Sequence, residues 1–226
     1  MKNIFRISGI ILIFFFIYSC KKDEDKTIKD GEGNVYTSVK IGTQEWLTEN
    51  LKTTKYSNGD LIGTTSPISK DISSESTPKY QWSYNGDESK VASYGRLYTW
   101  YTITDNRNVC PDGWHIPSDD DWTVLTDYLG DRSIAGGKLK EIGTVHWISP
   151  NTGATNETGF SAIPGGYRYP TGQVDFIGYY FWCWSGTEFS SDPAMANMWY
   201  VHNSDSGIYY GPMSKYWGFT VRCIKD

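Results

Sequence analysis

Apolar residues recur along this chain in short bursts rather than long stripes, so the pattern predicts many small elements. A turn cluster, Asp30-Gly31-Glu32-Gly33-Asn34, precedes a strand from Val35 to Ile41. Gly42-Thr43 then forms a hairpin turn and Gln44 to Leu47 the returning strand. Residues 52–93 are rich in Ser, Thr, Asn, Gly and Lys, with Tyr56, Leu61, Tyr80, Trp82 and Tyr84 as sparse anchors. They read as a long loop of the functional or mobile kind. In Gly95 to Ile103, Leu97, Trp100 and Tyr101 fall at i, i+3 and i+4, the spacing of a short helix. Ser118 begins the clearest helix. Its hydroxyl is placed to cap, Asp121 completes an approximate capping box, and Asp119, Asp120 and Asp121 suit the positive end of the helix dipole. Trp122, Leu125 and Leu129 line its apolar face and Gly130 ends it. Ile134 to Glu141 predicts a third helix, weakened by Gly136-Gly137.

Beyond residue 145 the pattern shifts to aromatic β segments divided by Gly, Asn and Pro: Gly159 to Ile163, Tyr179 to Ser185, Asn197 to His202, Gly207 to Tyr210 and Phe219 to Ile224. In the last, Phe219, Val221 and Cys223 share one face and Thr220, Arg222 and Ile224 the other. Two to three short helices followed by an aromatic, mainly antiparallel sheet define an α+β domain. No repeat of 20–50 residues is visible.

The N-terminus has a different character. Lys2 and Arg6 precede the apolar run Ile10 to Ile17, which is too short for the roughly 20 residues of a membrane span and matches a secretory leader. Cys20 follows Ser19 as in the bacterial lipobox, which it resembles. That likeness implies cleavage after residue 19 and acylation of the Cys20 thiol. Lys21-Lys22-Asp23-Glu24-Asp25-Lys26 is a solvated tether, similar to the surface-export signal of Bacteroidota lipoproteins. The expected organisation is a signal peptide over 1–19, a lipidated Cys and charged tether over 20–30, and one folded domain over 31–226. The expected location is the outer membrane, exposed on the cell surface and attached through the N-terminal lipid.

Composition narrows the function classes. The chain has 226 residues, 21 Lys+Arg against 26 Asp+Glu, 10 Trp, 17 Tyr and 23 Gly. An acidic balance lacks the basic footprint that nucleic acid requires. The aromatic content argues against disorder, coiled coil and collagen. With Cys20 lipidated, Cys110, Cys183 and Cys223 remain, an odd number in an oxidising compartment. Cys110, before a helix, and Cys223, in the last strand, are the expected disulfide, closing about 110 residues for a model entropy of roughly 4–5 kcal/mol. Cys183, within Phe181-Trp182-Cys183-Trp184, reads as a small buried filler.

Several motifs stand together: Gly33 to Leu51 (GNVYTSVKIGTQEWLTENL), Tyr94 to Tyr101 (YGRLYTWY), Cys110 to Ser118 (CPDGWHIPS), Asp121-Trp122, Ala135 to Lys140 (AGGKLK), Ala154 to Gly166 (ATNETGFSAIPGG) and Gly218 to Cys223 (GFTVRC). In this order they resemble the Fibrobacter succinogenes major paralogous domain, a family of bacterial surface proteins, over about residues 30–226. That resemblance brings no established activity. More distantly, the short helix, His115-Ile116-Pro117-Ser118 with its following acids, and the terminal Gly-Phe-x-x-Arg look like formylglycine-generating and sulfatase-modifying proteins. This second likeness implies a C-type-lectin-like fold whose chain ends lie close together, which the expected bridge fits. The copper oxidase chemistry of those relatives needs two reactive thiolates, and Cys183 alone does not supply them.

Other chemistry finds little support. There is no GxSxG elbow, no HExxH and no CxxC. His115 reads as an imidazole hydrogen-bonded beneath a loop, and Asn156-Glu157-Thr158 as a turn. A glycosidase would need two carboxylates across a cleft, for which Glu157, Asp175, Glu188, Asp192 and Asp205 are the candidates. No metal and no cofactor is expected. The aromatics carry the remaining signal, because Trp and Tyr stack on sugars and anchor protein contacts. Tyr167, Arg168, Tyr169, Tyr179, Tyr180, Tyr209 and Tyr210 are the candidate ligand-binding residues, the tyrosines being expected at the surface beside Gly or Pro. The reading is a non-catalytic surface module binding glycan or a surface protein. Its alternatives are a carbohydrate-active enzyme with an acid pair, or a structural adhesin component.

Overall fold

A computed structural model describes residues 27–226. The expected leader, Cys20 and most of the tether lie outside the described residues. The first strands are β1 (Ile28–Lys29), β2 (Val35–Tyr36), β3 (Ser38–Ile41), β4 (Gln44–Leu47) and β5 (Gln81–Trp82). Then come α1 (Val91–Tyr94), β6 (Leu97–Tyr98), α2 (Trp100–Ile103), β7 (Trp114–His115), α3 (Asp119–Tyr128) and α4 (Arg132–Leu139). The C-terminal half holds β8 (Gly165–Arg168), β9 (Val174–Ile177), β10 (Tyr180–Glu188), β11 (Met195–His202), β12 (Tyr209–Ser214) and β13 (Ile224–Lys225). Helices are few and short, and the strands form several small antiparallel sheets: β1-β2, β5-β6, β8-β9, β3-β4-β13-β7 and β10-β11-β12.

Period-two alternation explains where the core sits. Phe219, Val221 and Cys223 point into one apolar cluster with Leu47, Tyr98, Trp184 and Met198. Ile224 enters a second cluster with Trp46, Trp122, Phe160, Phe181, Cys183 and Trp199. The Arg222 guanidinium lies over the Phe160 ring of that second cluster. The terminal segment and the middle of β10 therefore run between two cores, and from Cys183 to Ser185 both faces of β10 are buried, as an antiparallel strand with one wet face would not be. The disulfide joins Cys110 to Cys223 with Cα atoms 6.0 Å apart, while Cys183 is free and buried. Burial pushes the Cys183 thiol up to about 12, which leaves it an inert apolar filler.

The capping box forms at α3. The Ser118 hydroxyl accepts from the Asp121 N–H, and the Asp121 carboxylate accepts from the Ser118 N–H at 2.8 Å. Other expectations are corrected. Residues 95–103 are not one helix: Leu97–Tyr98 pairs with β5, and only Trp100–Ile103 is helical. Leu97 packs beside Trp82 and Ile72 in a third cluster, so tertiary burial overrides its helical spacing from Trp100. Gly159 to Ile163 is not a strand; Ala162 makes one bridge to Lys140, and Ser161 has φ +53°. Of 219–224, only Ile224 belongs to a ladder. The preceding residues make isolated bridges, Phe219 to Tyr98 and Thr220 to Cys183. The β8–β9 hairpin and β7 went unread.

Segment 52–93 is a tethered loop. The Arg168 guanidinium donates to the Ile68 and Lys70 carbonyls at 3.0 and 2.7 Å, and lies over the Trp82 ring. Arg96 donates to the Lys52 carbonyl at 2.9 Å, to Gln81 and to Glu88. Asp105 accepts from Arg107 at 2.8 Å and pairs with Lys79 at 2.7 Å.

Candidate functional site: an aromatic sheet face

In the β10-β11-β12 sheet the register places Tyr180 opposite His202, Trp182 opposite Tyr200, and Tyr200 opposite Tyr209. Alternation puts these five rings on one face. Trp182 stacks on Tyr200 (centroids 4.5 Å, planes 16° apart) and Tyr200 on Tyr209 (5.3 Å, 26°). Tyr209 in turn stacks on His202 at 5.6 Å. The face begins inside the first core, where Trp182 stacks on Phe219 at 5.3 Å, and emerges at Tyr180, Tyr200 and Tyr209. Phe176, in β9, and Tyr179, in the β9–β10 connection, extend it: Phe176 lies 5.5 Å from Tyr180 and 6.0 Å from Tyr179.

Polar groups border the exposed end. Tyr209 Oη donates to Asp205 Oδ2 at 2.8 Å, which raises the Tyr209 phenol above its ordinary value. His202 pairs with the same carboxylate at 2.9 Å. Flat apolar rings beside a carboxylate and an imidazole can stack against the axial C–H face of a pyranose while accepting hydrogen bonds from its hydroxyls.

The candidate residues divide. Tyr179 and Tyr209 are 41% and 39% exposed and Tyr180 is half-buried, all on this surface. Tyr169 is half-buried against Trp217 at 4.6 Å. Tyr167, expected at the surface, is 8% exposed because its ring packs against Trp182, Trp217 and Phe219. Arg168, a candidate ligand-binding residue, is fully buried on backbone carbonyls. Tyr210 is exposed, but on the opposite face, stacked on Trp199 at 4.9 Å with Arg132 over its ring. Trp182, Tyr200 and His202 were not anticipated as site residues. Their signal was available in the spacing Tyr180-x-Trp182 and Tyr200-x-His202, which places each pair on one strand face.

The remaining candidates are separately engaged. Glu188 pairs with Lys215, Glu157 with Lys138 at 3.0 Å, and Asp205 with His202 and Tyr209. Asp175, in β9, accepts from the Phe176 N–H, and Asp192 from the Ala194 N–H. His115 is half-buried and hydrogen-bonded, its Nδ1 2.7 Å from Asp226 Oδ1. Arg222 is buried, donating to the Leu47 and Phe160 carbonyls and to Asn50 Oδ1. Burial pulls both Arg168 and Arg222 down to about 10, so both stay charged at neutral pH. Among the described residues no three His, Cys, Asp or Glu side chains converge on a metal position, and no helix is long and apolar enough to cross a membrane.

The family model of the Fibrobacter succinogenes major domain matches residues 39–225, and the chain belongs to that family. Comparison with curated proteins and with solved structures finds no match.

Proposed function

We propose that this protein is a lipid-anchored surface module that binds glycan along the aromatic face of the β10-β11-β12 sheet. The observation that carries the reading is the stacked row Trp182–Tyr200–Tyr209, half-exposed and bordered by His202 and Asp205. Trp and Tyr rings serve protein contacts as well as sugars; the carboxylate and imidazole beside Tyr209 favour a hydroxyl-rich ligand. Anchoring rests on the leader and Cys20. The C-type-lectin-like architecture is part of the same proposal. It is supported by α3 and α4, by the pairing of Ile224 with Trp46, and by the bridge that ties the chain's end to its middle.

Affinity electrophoresis of the full-length chain in gels containing soluble polysaccharides tests the binding. Tyr209→Ala removes an exposed ring from an edge strand and is expected to lower retention by about tenfold, the loss of roughly 1–1.5 kcal/mol of stacking. Tyr210→Ala, on the other face, is expected to change retention far less. Equal loss in both variants, or no retention by any polysaccharide, would refute the assignment of this face. Metabolic labelling with an alkyne fatty acid, present in the wild type and lost in Cys20→Ala, tests the anchor.

A further inference from the structure

The end of β11 and the turn that joins it to β12 carry three side chains whose polar atoms form a chain. Ser204 Oγ lies 2.7 Å from His202 Nδ1, and His202 Nε2 lies 2.9 Å from Asp205 Oδ2. The partners fix the direction of each hydrogen bond. The Ser204 backbone N–H also points at Nδ1, at 3.4 Å, and an N–H only donates, so Nδ1 carries the lone pair. A carboxylate only accepts, so Nε2 carries the hydrogen. The Ser204 hydroxyl thus donates to the basic nitrogen of an imidazole whose other nitrogen is held by a carboxylate. This is the order nucleophile, general base, orienting group, with the two ring nitrogens exchanged relative to the serine proteases.

The turn is built to hold that order. Asn203 is buried. Its N–H donates to the Tyr179 carbonyl at 3.0 Å, its carbonyl accepts from Thr152 at 2.7 Å, and its amide donates to the Ile148 and Ser149 carbonyls. The buried Lys140 ammonium donates to the His202 and Asp205 carbonyls at 3.0 and 2.7 Å and to the Thr152 carbonyl at 2.8 Å. The His202 ring is flanked by Tyr209 and Tyr180, each 5.6 Å away. Ser204 itself is exposed. The Asp205 N–H, directly after the serine, makes no hydrogen bond among the described residues and is available to a developing oxyanion. A turn that only needed to reverse direction would not require a buried Asn and a buried Lys to fix its backbone.

We propose that Ser204, His202 and Asp205 hydrolyse carboxylic esters, their substrate being an O-acyl group carried by a glycan on the adjacent aromatic face. The glycan part rests on the binding proposed above; the acyl chemistry does not. Ser204 Oγ attacks the ester carbonyl, forming an O–C bond as its proton passes to His202 Nδ1. The C–O bond to the alcohol breaks, and the alcohol leaves with that proton. Water then attacks the acyl-serine, giving its proton to Nδ1. The serine takes the proton back as the acid is released, so one ester and one water yield one acid and one alcohol. Asp205 is a positioning residue that keeps the hydrogen on Nε2.

The test uses the full-length chain with a fluorophosphonate probe and with p-nitrophenyl acetate, neither of which carries a sugar, so failure of the glycan proposal leaves the readout intact. Mass spectrometry is expected to find the phosphonyl group on Ser204. Ser204→Ala is expected to lose at least ~100-fold in ester hydrolysis, with an unchanged melting temperature confirming its fold. Asp205→Asn is expected to shift the pH profile of labelling as well as its rate. Absence of labelling, labelling on another residue, or undiminished hydrolysis by Ser204→Ala overturns the site. An unchanged pH profile in Asp205→Asn overturns the role given to Asp205.

Discussion

Reducing the Cys110–Cys223 bond removes the longest covalent constraint on the described chain. The two residues are 113 apart in sequence, and both are fully buried. In the chain-entropy description a loop of that length restricts the unfolded ensemble by about 5 kcal/mol at 25 °C. The native state has reason to retain its shape without the bond, because Leu47 donates to the Cys223 carbonyl and Ile224 pairs with both β4 and β7. The full entropic difference should therefore appear as lost stability rather than as a rearranged fold. With a urea m-value of about 2 kcal/mol/M, ordinary for a domain of this size, the midpoint is expected to fall by about 2.5 M. The assay is tryptophan fluorescence against urea for oxidised chain and for chain unfolded and refolded in phosphine reductant. Burial adds a kinetic signature: reductant without denaturant should leave the bond intact for as long as the domain stays folded. A midpoint shift below about 0.5 M would refute the reasoning, since the unfolded chain would then already be as restricted as the bridge makes it.

Four further outcomes follow from named contacts. Arg168→Leu leaves the Ile68, Lys70 and Tyr169 carbonyls without their donor and is expected to cost at least about 3 kcal/mol, with faster proteolysis in 64–76 as the readout. Gly136→Ala would place a Cβ 2.0 Å from the Gly207 carbonyl oxygen, so this variant should fail to accumulate as folded protein in a thermal-shift assay. Ser118→Ala breaks the α3 capping box and should lower stability by about 1 kcal/mol in chemical denaturation. Asp105 is held below the usual carboxylate range by its hydrogen bonds from Arg107 and then Lys79, against the opposing effect of burial. Because the folded value is depressed, its stabilisation is present above the unfolded value of about 4 and is lost as pH falls through the folded one. Asp105→Asn should flatten the acid limb of the stability curve, and equal acid sensitivity in wild type and variant would contradict this.

Local rules made parts of this molecule readable. The Gly42-Thr43 hairpin, the Ser118–Asp121 cap and the terminal alternation from Phe219 to Ile224 each follow from neighbouring residues, and each is present. The bridge was legible by arithmetic, since the three cysteines of the described residues, with one apolar run around Cys183, leave few pairings. The misreadings share a cause. Leu97 has helical spacing from Trp100 but is claimed by Trp82, and Tyr167 lies beside glycine but is covered by Trp217 and Phe219.

The sequence by itself determined the family, the mixed α+β class, the short elements and the aromatic chemistry, because these depend on residue identity and spacing within a few positions. Only the tertiary structure decided which aromatics face outward, that Tyr209 and Tyr210 lie on opposite sides of β12, and that Arg168 and Lys140 are buried pins. Burial is set by what arrives from distant parts of the chain. Strand alternation says that neighbours point to opposite sides, but not which side meets water.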